Sequence, residues 1–187
     1  MRHYLDLHLL PDPELPPHVL MAAMFTNLHR ALADMKSEHI GIAFPGYRKA
    51  PAQLGSQMRL VGPIEALAHL LARPWLGALR DHVGVSSINE VPSDAEHRSL
   101  RRIQAKSSPA RLRRRQMKRH GLSEVEAFAL MPDSAAEHLR LPFVQVHSAS
   151  TGQTFRVFLD LSEPQVPVTL GSFNSYGLSH DRTLPWF

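Results

Sequence analysis

The chain has 187 residues, 43% of them hydrophobic and 20% charged, the proportions of an ordinary globular protein with enough residues to bury a core as one domain or two small ones. It has no long uncharged apolar run, so no membrane-spanning helix is expected. Its lack of cysteine excludes disulfides, thiolate metal ligands and thiol nucleophiles. The net charge of +4 conceals an imbalance: residues 98–120 hold ten Lys or Arg and no acid, against 11 basic and 17 acidic residues elsewhere, a net of −6. A cation concentrated in this way on an otherwise acidic chain points to a phosphate backbone as partner.

The N-terminal "YLDLHLL" alternates, with Leu5, Leu7 and Leu9 on one face and Asp6 and His8 on the other, which predicts a strand rather than a secretory signal. "PDPELPP" reads as a loop, and Pro16 and Pro17 suit a helix start. The helix then runs through Met21, Phe25, Leu28, Leu32 and Met35 at helical spacing. "HIGIAF" alternates as a strand through Ile40, Ile42 and Phe44, and a loop leads on to the strand "QMRLVG". A second amphipathic helix follows through Ile64, Leu67, Leu71 and Leu79, with Pro74 bending it or splitting off its last turn. Val83 and Val85 mark a fourth strand. The order β-α-β-β-α-β fills about the first 90 residues and is that of a ferredoxin-like domain, a fold that decides no activity alone.

Three segments are therefore expected: a ferredoxin-like domain over 1–91, a linker over 92–97 ("PSDAEH"), and a C-terminal α+β domain over 98–187. "RSLRRIQAK" opens the second domain as a strand. Ser108 then caps an arginine-rich helix of about 109–120, with Pro109 at its first position and Gly121 as its stop. "SEVE" from Ser123 is a capping box for a short helix. "PFVQVHSAS" and "TFRVFLDL" form a hairpin turning at Thr151 and Gly152. "VTLGSFNSYGLS" is expected to add one or two strands before the terminal "LPWF". No internal repeat is visible.

On the arginine-rich helix, Arg111, Arg115, Lys118 and Arg119 share one side with Arg114 beside them, while Leu112 and Met117 make no wide apolar face. A solvated surface helix normally mixes signs. Each pair of neighbouring cations here costs roughly a few tenths of a kcal/mol, a cost that a bound polyanion would offset. Just before it, Arg102 and Gln104 would point the same way in extended backbone, and their side chains suit guanine and adenine edges respectively. The remaining candidates are ordinary taken singly. His29 sits at the border of an apolar stripe, where a partly buried structural histidine is the simplest reading. Ser148 and Ser150 flank a turn, and Tyr176 lies in a Gly-rich tail. None of the 12 histidines has metal-site spacing.

Several short stretches together resemble a known family. They are "HYLDL", Leu28-His29, "LARPWL" at 71–76, "RIQAKS", "RLRRR", "LPFV", "STGQ-x-FR", "YGLS" and the final "PWF", in that order from end to end. The chain is similar to the CRISPR repeat-RNA processing endoribonucleases of type I-F systems, a branch of the Cas six superfamily. The resemblance implies a ferredoxin-like N-terminal domain and an arginine-rich helix docked in the major groove of a repeat hairpin. It also implies that Arg102 and Gln104 read bases at the bottom of the stem. Arg114, Arg115, Lys118 and Arg119 would hold phosphates and the loop-proximal groove, and Phe155 would stack on a nucleotide.

The chemistry the resemblance implies is metal- and cofactor-free cleavage at the 3′ base of the stem. The ribose 2′-OH attacks, leaving a 2′,3′-cyclic phosphate and a 5′-OH. His29 would handle the proton, Ser148 would position the ribose, and Tyr176 would orient the imidazole, with Ser150 and Thr151 as backbone contacts. The implied partners are the repeat stem-loop, before and after cutting, and other subunits of a type I-F surveillance complex. No membrane partner is expected; the free protein would be a cytoplasmic monomer. Ser108 and Ala110 depart from the Asn and Glu of the family pattern, His147 adds a second histidine, and residues 45–56 show little resemblance. A non-catalytic hairpin-binding subunit and a general nucleic-acid chaperone are the competing readings.

Overall fold

The structure is a computed structural model that describes residues 2–104, 109–132, 139–147, 152–166 and 168–187. It is an α+β protein with two compact units. One comprises Met1–Ile103 with Leu141–Phe187, and the other is Gln104–Arg140.

The larger unit begins with strand β1 (His3–Leu9) and helix α1 (Pro17–Asp34), followed by β2 (Gly41–Ala43) and β3 (Gln57–Gly62). Helix α2 (Ile64–Leu71) and β4 (Val83–Val85) complete the first layer. The strands lie in the order β2-β3-β1-β4, with all neighbours antiparallel, and the short β5 (Asn89–Glu90) also pairs with β1. In the β1–β3 register Leu5 faces Leu60 and Leu7 faces Met58. These four are completely buried, as strict alternation on one covered face requires. Pro74 ends the second helix rather than bending it. The helix stops at Leu71, and a separate 3₁₀ turn, Gly77–His82, carries the chain to β4.

Helix α1 starts with Pro17 at its first position and ends in a Schellman arrangement. Lys36, in the left-handed region at φ 49°, donates to Ala33, and Ser37 donates to Leu32. More of the helix is buried than the predicted stripe, because Leu20, Met24 and Ala31 join Met21, Phe25, Leu28 and Leu32. Leu20, Met24 and Ala31 share the side of α1 on which Asn27 donates to the Leu76 carbonyl and the 3₁₀ turn packs; elsewhere on the helix packs the edge strand of a second, three-stranded sheet. Its strands are β7 (Leu100–Ile103), β8 (Phe143–His147) and β9 (Thr154–Leu161). Leu100, Val144, Val146, Val157, Leu159 and Leu161 form its buried face. On the opposite face Asp160 binds Lys49 at 3.0 Å and Arg101 at 2.8 Å. Burial works against charge on Asp160, but the hydrogen bonds from Arg101 and Lys49 outweigh it and hold its pKa below the usual carboxylate value.

The far side of the first sheet is closed by the end of the chain. Strand β10 (Leu184–Trp186) pairs with β6 (Glu96–Arg98). Residues 92–97 are therefore not a free linker, since Glu96 and His97 are held in a strand pair, and the compact units do not divide there. Arg59 of β3 donates to both carboxylate oxygens of Asp6, at 2.7 and 2.9 Å, and to the Phe187 carbonyl at 2.6 Å. Its guanidinium lies 4.6 Å from the centre of the Tyr4 ring and 3.8 Å from that of Phe187. The expected strands in "VTLGSFNSYGLS" do not form: residues 168–179 are irregular, folded around turns at Asn174 and Gly177.

In the smaller unit, α3 (Pro109–His120) ends at Gly121, φ 65°, whose N–H donates to Met117. Ser123 and Glu126 make the predicted capping box for α4 (Glu124–Leu130). Ser108, the expected cap of α3, lies outside the described residues.

Asp6 and Arg59 are 8% and 7% exposed, so removing one partner strands a buried charge. Asp6→Ala is expected to lower the unfolding free energy by roughly 3–5 kcal/mol. Lys49→Ala, at a pair with one exposed partner, is expected to cost about 1 kcal/mol or less. Urea unfolding monitored by circular dichroism measures both, and equal losses would contradict the assignment of the buried pair.

Candidate functional site

His29 lies in the second half of α1, one residue past the fully packed Leu28, and is half-buried. Its Nδ1 is 2.9 Å from the Ser175 carbonyl oxygen. A carbonyl can only accept, so the neutral ring carries its proton on Nδ1 and leaves the Nε2 lone pair available. The ring also stacks on Tyr176, with centroids 3.7 Å apart and planes 5° from parallel. Tyr176 in turn stacks on Phe25 at 5.7 Å and 22°. Phe25 and His29 are four residues apart and so lie on one side of the helix, where a single tyrosine from the C-terminal tail reaches both.

The tail is seated by close packing. Phe173 fills the hollow left by Gly41, where a Cβ would come within 2.6 Å of its ring. Gly177, at φ 70°, lies against β2. A Cβ there would meet Ile42 Cγ2 at 2.7 Å, and its carbonyl accepts from Ile42 N–H at 3.0 Å. Ser175 and Tyr176 therefore sit between two fixed points. The resulting arrangement is an imidazole with one nitrogen tied down, one available, and its plane held by stacking. Such a group can take up or deliver one proton with little reorganisation.

The other expected site residues are distributed as follows. Ser148, Ser150 and Thr151 lie outside the described residues. His147 is exposed at the end of β8, with Nδ1 3.2 Å from Thr154 Oγ1. Arg102 and Phe155 share a side of the second sheet, the guanidinium 5.4 Å from the ring centroid. Neighbouring Arg101 is on the other side, committed to Asp160. Strand β7 ends at Ile103, so Gln104 lies just beyond it and is exposed. On α3, Arg111, Leu112, Arg114, Arg115 and Lys118 line a recess of about 580 Å³. Arg119 is exposed but is not among its lining residues, and Arg113 turns toward α4, over the Phe128 ring at 4.8 Å.

The family model described as "CRISPR-associated protein (Cas_Csy4)" matches residues 4–187. This chain belongs to that family. It is 46% identical to the "CRISPR-associated endonuclease Cas6/Csy4" of Pseudomonas aeruginosa (strain UCBPP-PA14) over 187 residues, all of both chains. It is 38% identical, again over all of both chains, to the protein of the same description from Escherichia coli (strain UTI89 / UPEC). A solved structure described as "An RAMP protein binding different RNA substrates" covers 98% of this chain and 99% of its own, at 10% identity and a TM-score of 0.35. A likeness that slight carries no argument.

Within this Cas_Csy4 chain, reading the sequence missed the Ser175 carbonyl, because a backbone group leaves no mark in residue type. The available signal was "NSYG", with Asn first and Gly fourth, the composition of a β-turn. The stack itself predicts a ring-current shift on the His29 ring protons. Proton NMR should show those resonances moving downfield in Tyr176→Leu and staying near wild type in Tyr176→Phe. Unchanged resonances in Tyr176→Leu would contradict the stacking.

Proposed function

We propose that the chain is an endoribonuclease that recognises CRISPR repeat RNA and cleaves it at the 3′ base of the repeat stem-loop without a metal ion. The observation that carries the reading is the His29 environment in a chain of this family, with Nδ1 on the Ser175 carbonyl and the ring against Tyr176. The names of the two relatives, both endonucleases, support it.

In the proposed reaction His29 Nε2 takes the proton of the ribose 2′-OH. The 2′ oxygen bonds to the adjacent phosphorus while the P–O5′ bond breaks. The products are a 2′,3′-cyclic phosphate and a 5′ oxygen that is protonated to 5′-OH. The nucleophile is internal to the substrate, so alignment supplies much of the rate, and nearby cations and donors stabilise the added charge on phosphorus. Ser148 is proposed to position the attacking ribose, Tyr176 to hold the imidazole, and Ser150 and Thr151 to contact the backbone.

Recognition is assigned to the basic segment. The recess along Arg111, Arg114, Arg115 and Lys118 suits phosphates, and Arg119 extends the same charge. Arg102 and Gln104 are proposed to read base edges, with Phe155 stacking on a nucleotide. Association of Arg102 with Phe155 supports a shared role, since a guanidinium over a ring presents both a charge and a flat surface to a base. The antiparallel order β2-β3-β1-β4, with helices after β1 and β3, supports a ferredoxin-like N-terminal domain. The functional division into residues 1–91, with the proton-handling histidine, and 98–187, with the recognition elements, belongs to the same proposal. So do retention of the cut hairpin, association with other subunits of a type I-F surveillance complex, and a cytoplasmic monomer as the free form. No helix among the described residues is long and apolar enough to cross a membrane.

Single-turnover cleavage of labelled repeat RNA tests the reading. His29→Ala should lower the rate by about 10²–10⁴-fold while leaving hairpin affinity nearly intact. A 2′-deoxy nucleotide at the cleaved position should block cutting by wild type. Cleavage that survives the deoxy substitution would defeat the mechanism, and hairpin binding without any cutting by wild type would favour a purely binding subunit.

A further inference from the structure

The peptide group between Ser175 and Tyr176 is held from both ends. Its carbonyl oxygen is the atom 2.9 Å from His29 Nδ1. Its N–H donates to Asn174 Oδ1 at 2.8 Å. In a trans peptide these two groups point in opposite directions, so Asn174, one peptide plane and His29 form a single row. The same Asn174 oxygen also accepts from Leu178 N–H at 3.2 Å. The Asn174 backbone closes the loop on both sides, with N–H to Leu178 carbonyl at 2.9 Å and carbonyl to Gly177 N–H at 2.8 Å.

That last bond makes residues 174–177 a β-turn whose central peptide is the Ser175–Tyr176 group. A central peptide is the one that flips between type I and type II turns, and the flip reverses its carbonyl. The flipped form needs a positive φ at Tyr176, which a side chain resists, and in the structure Lys36 alone among described non-glycine residues has one. The Asn174 oxygen opposes the flip independently, because it would lose the Tyr176 N–H. We infer that Asn174 is a positioning residue for His29: by holding this peptide plane it presents the Ser175 carbonyl that fixes the Nδ1–H tautomer and leaves Nε2 as the proton acceptor. Hydrogen bonds linked through one peptide also polarise each other, which strengthens the hold on the ring. The inference rests on the endoribonuclease reading for its catalytic consequence and on geometry alone for the tautomer.

Asn174 is exposed and contributes nothing to the core, so replacing it should leave the fold standing, with water taking up the freed N–H groups. Two measurements separate the proposal from its alternatives. Without RNA, ¹⁵N NMR of the histidine rings at a pH where His29 is neutral should show Nδ1 protonated in wild type and in Asn174→Asp, which keeps the acceptor. In Asn174→Ala the two tautomers should mix. With repeat RNA, Asn174→Ala should cut about 10- to 100-fold more slowly in single turnover at unchanged hairpin affinity. Asn174→Ser, whose hydroxyl makes the same turn more weakly, should recover part of the rate.

An unchanged His29 tautomer in Asn174→Ala overturns the proposal, whatever the rate does. A slower rate with weakened hairpin binding would mean that Asn174 contacts RNA directly, and also overturns it. Failure of wild type to cut defeats the endoribonuclease reading but leaves the tautomer measurement able to decide this one.

Discussion

Helix α1 is buried on two sides, and the placement of His29 follows from that constraint. The first sheet takes one side of the helix and edge strand β8 of the second sheet packs on it as well. Leu28 belongs to the core, and His29 lies at its border, half-buried. A residue there is close enough to the interior to be oriented and open enough to meet a substrate. The carbonyls of α1 run along its axis and are engaged by its own N–H groups, and the carbonyl that meets the ring comes from another segment. The steering groups come from the tail, about 146 residues further along the chain.

The tail can act in this way because it is anchored at several separate points. Phe173 occupies the hollow over Gly41, Gly177 rests on β2, and Phe187 closes on the buried Arg59–Asp6 pair. Each anchor uses a different kind of interaction: aromatic packing, a left-handed glycine carrying a backbone hydrogen bond, and a charge sandwiched by rings. The site thus depends on the order of the whole larger unit. A change at Asp6 would be felt as stability, whereas a change at Asn174 would be felt at the His29 ring. In the smaller unit the sequence device is simpler: the capped α4 meets α3 through Phe128 beneath Arg113.

Elements specified by local pattern are legible in the sequence. Alternation in "YLDLHLL", the proline start of α1, the Gly121 stop and the Ser123 capping box all correspond to observed features. Each depends on neighbours within a few residues. What failed to show is what distant segments decide. Leu20, Met24 and Ala31 are buried on the side of α1 that the 3₁₀ turn at residues 77–82 closes, about fifty residues along the chain. Glu96 and His97 looked like linker because their partner, β10, is nearly ninety residues away. "VTLGSFNSYGLS" has the β-branched and aromatic content of strands, yet its Asn174 and Gly177 turn it back on itself. His29 illustrates the limit most clearly. Its residue type suggested a candidate, the family resemblance suggested a role, but the carbonyl that fixes its tautomer is backbone.

The central claim is that an internal 2′-OH, with His29 handling its proton, performs the cut. The chemical ends of the products record that step directly. Mass spectrometry of cognate repeat RNA incubated with the protein in EDTA should find a hairpin fragment ending in a 2′,3′-cyclic phosphate and a downstream fragment beginning with 5′-OH. A 3′-OH paired with a 5′-phosphate, or no product until magnesium is restored, would contradict the account.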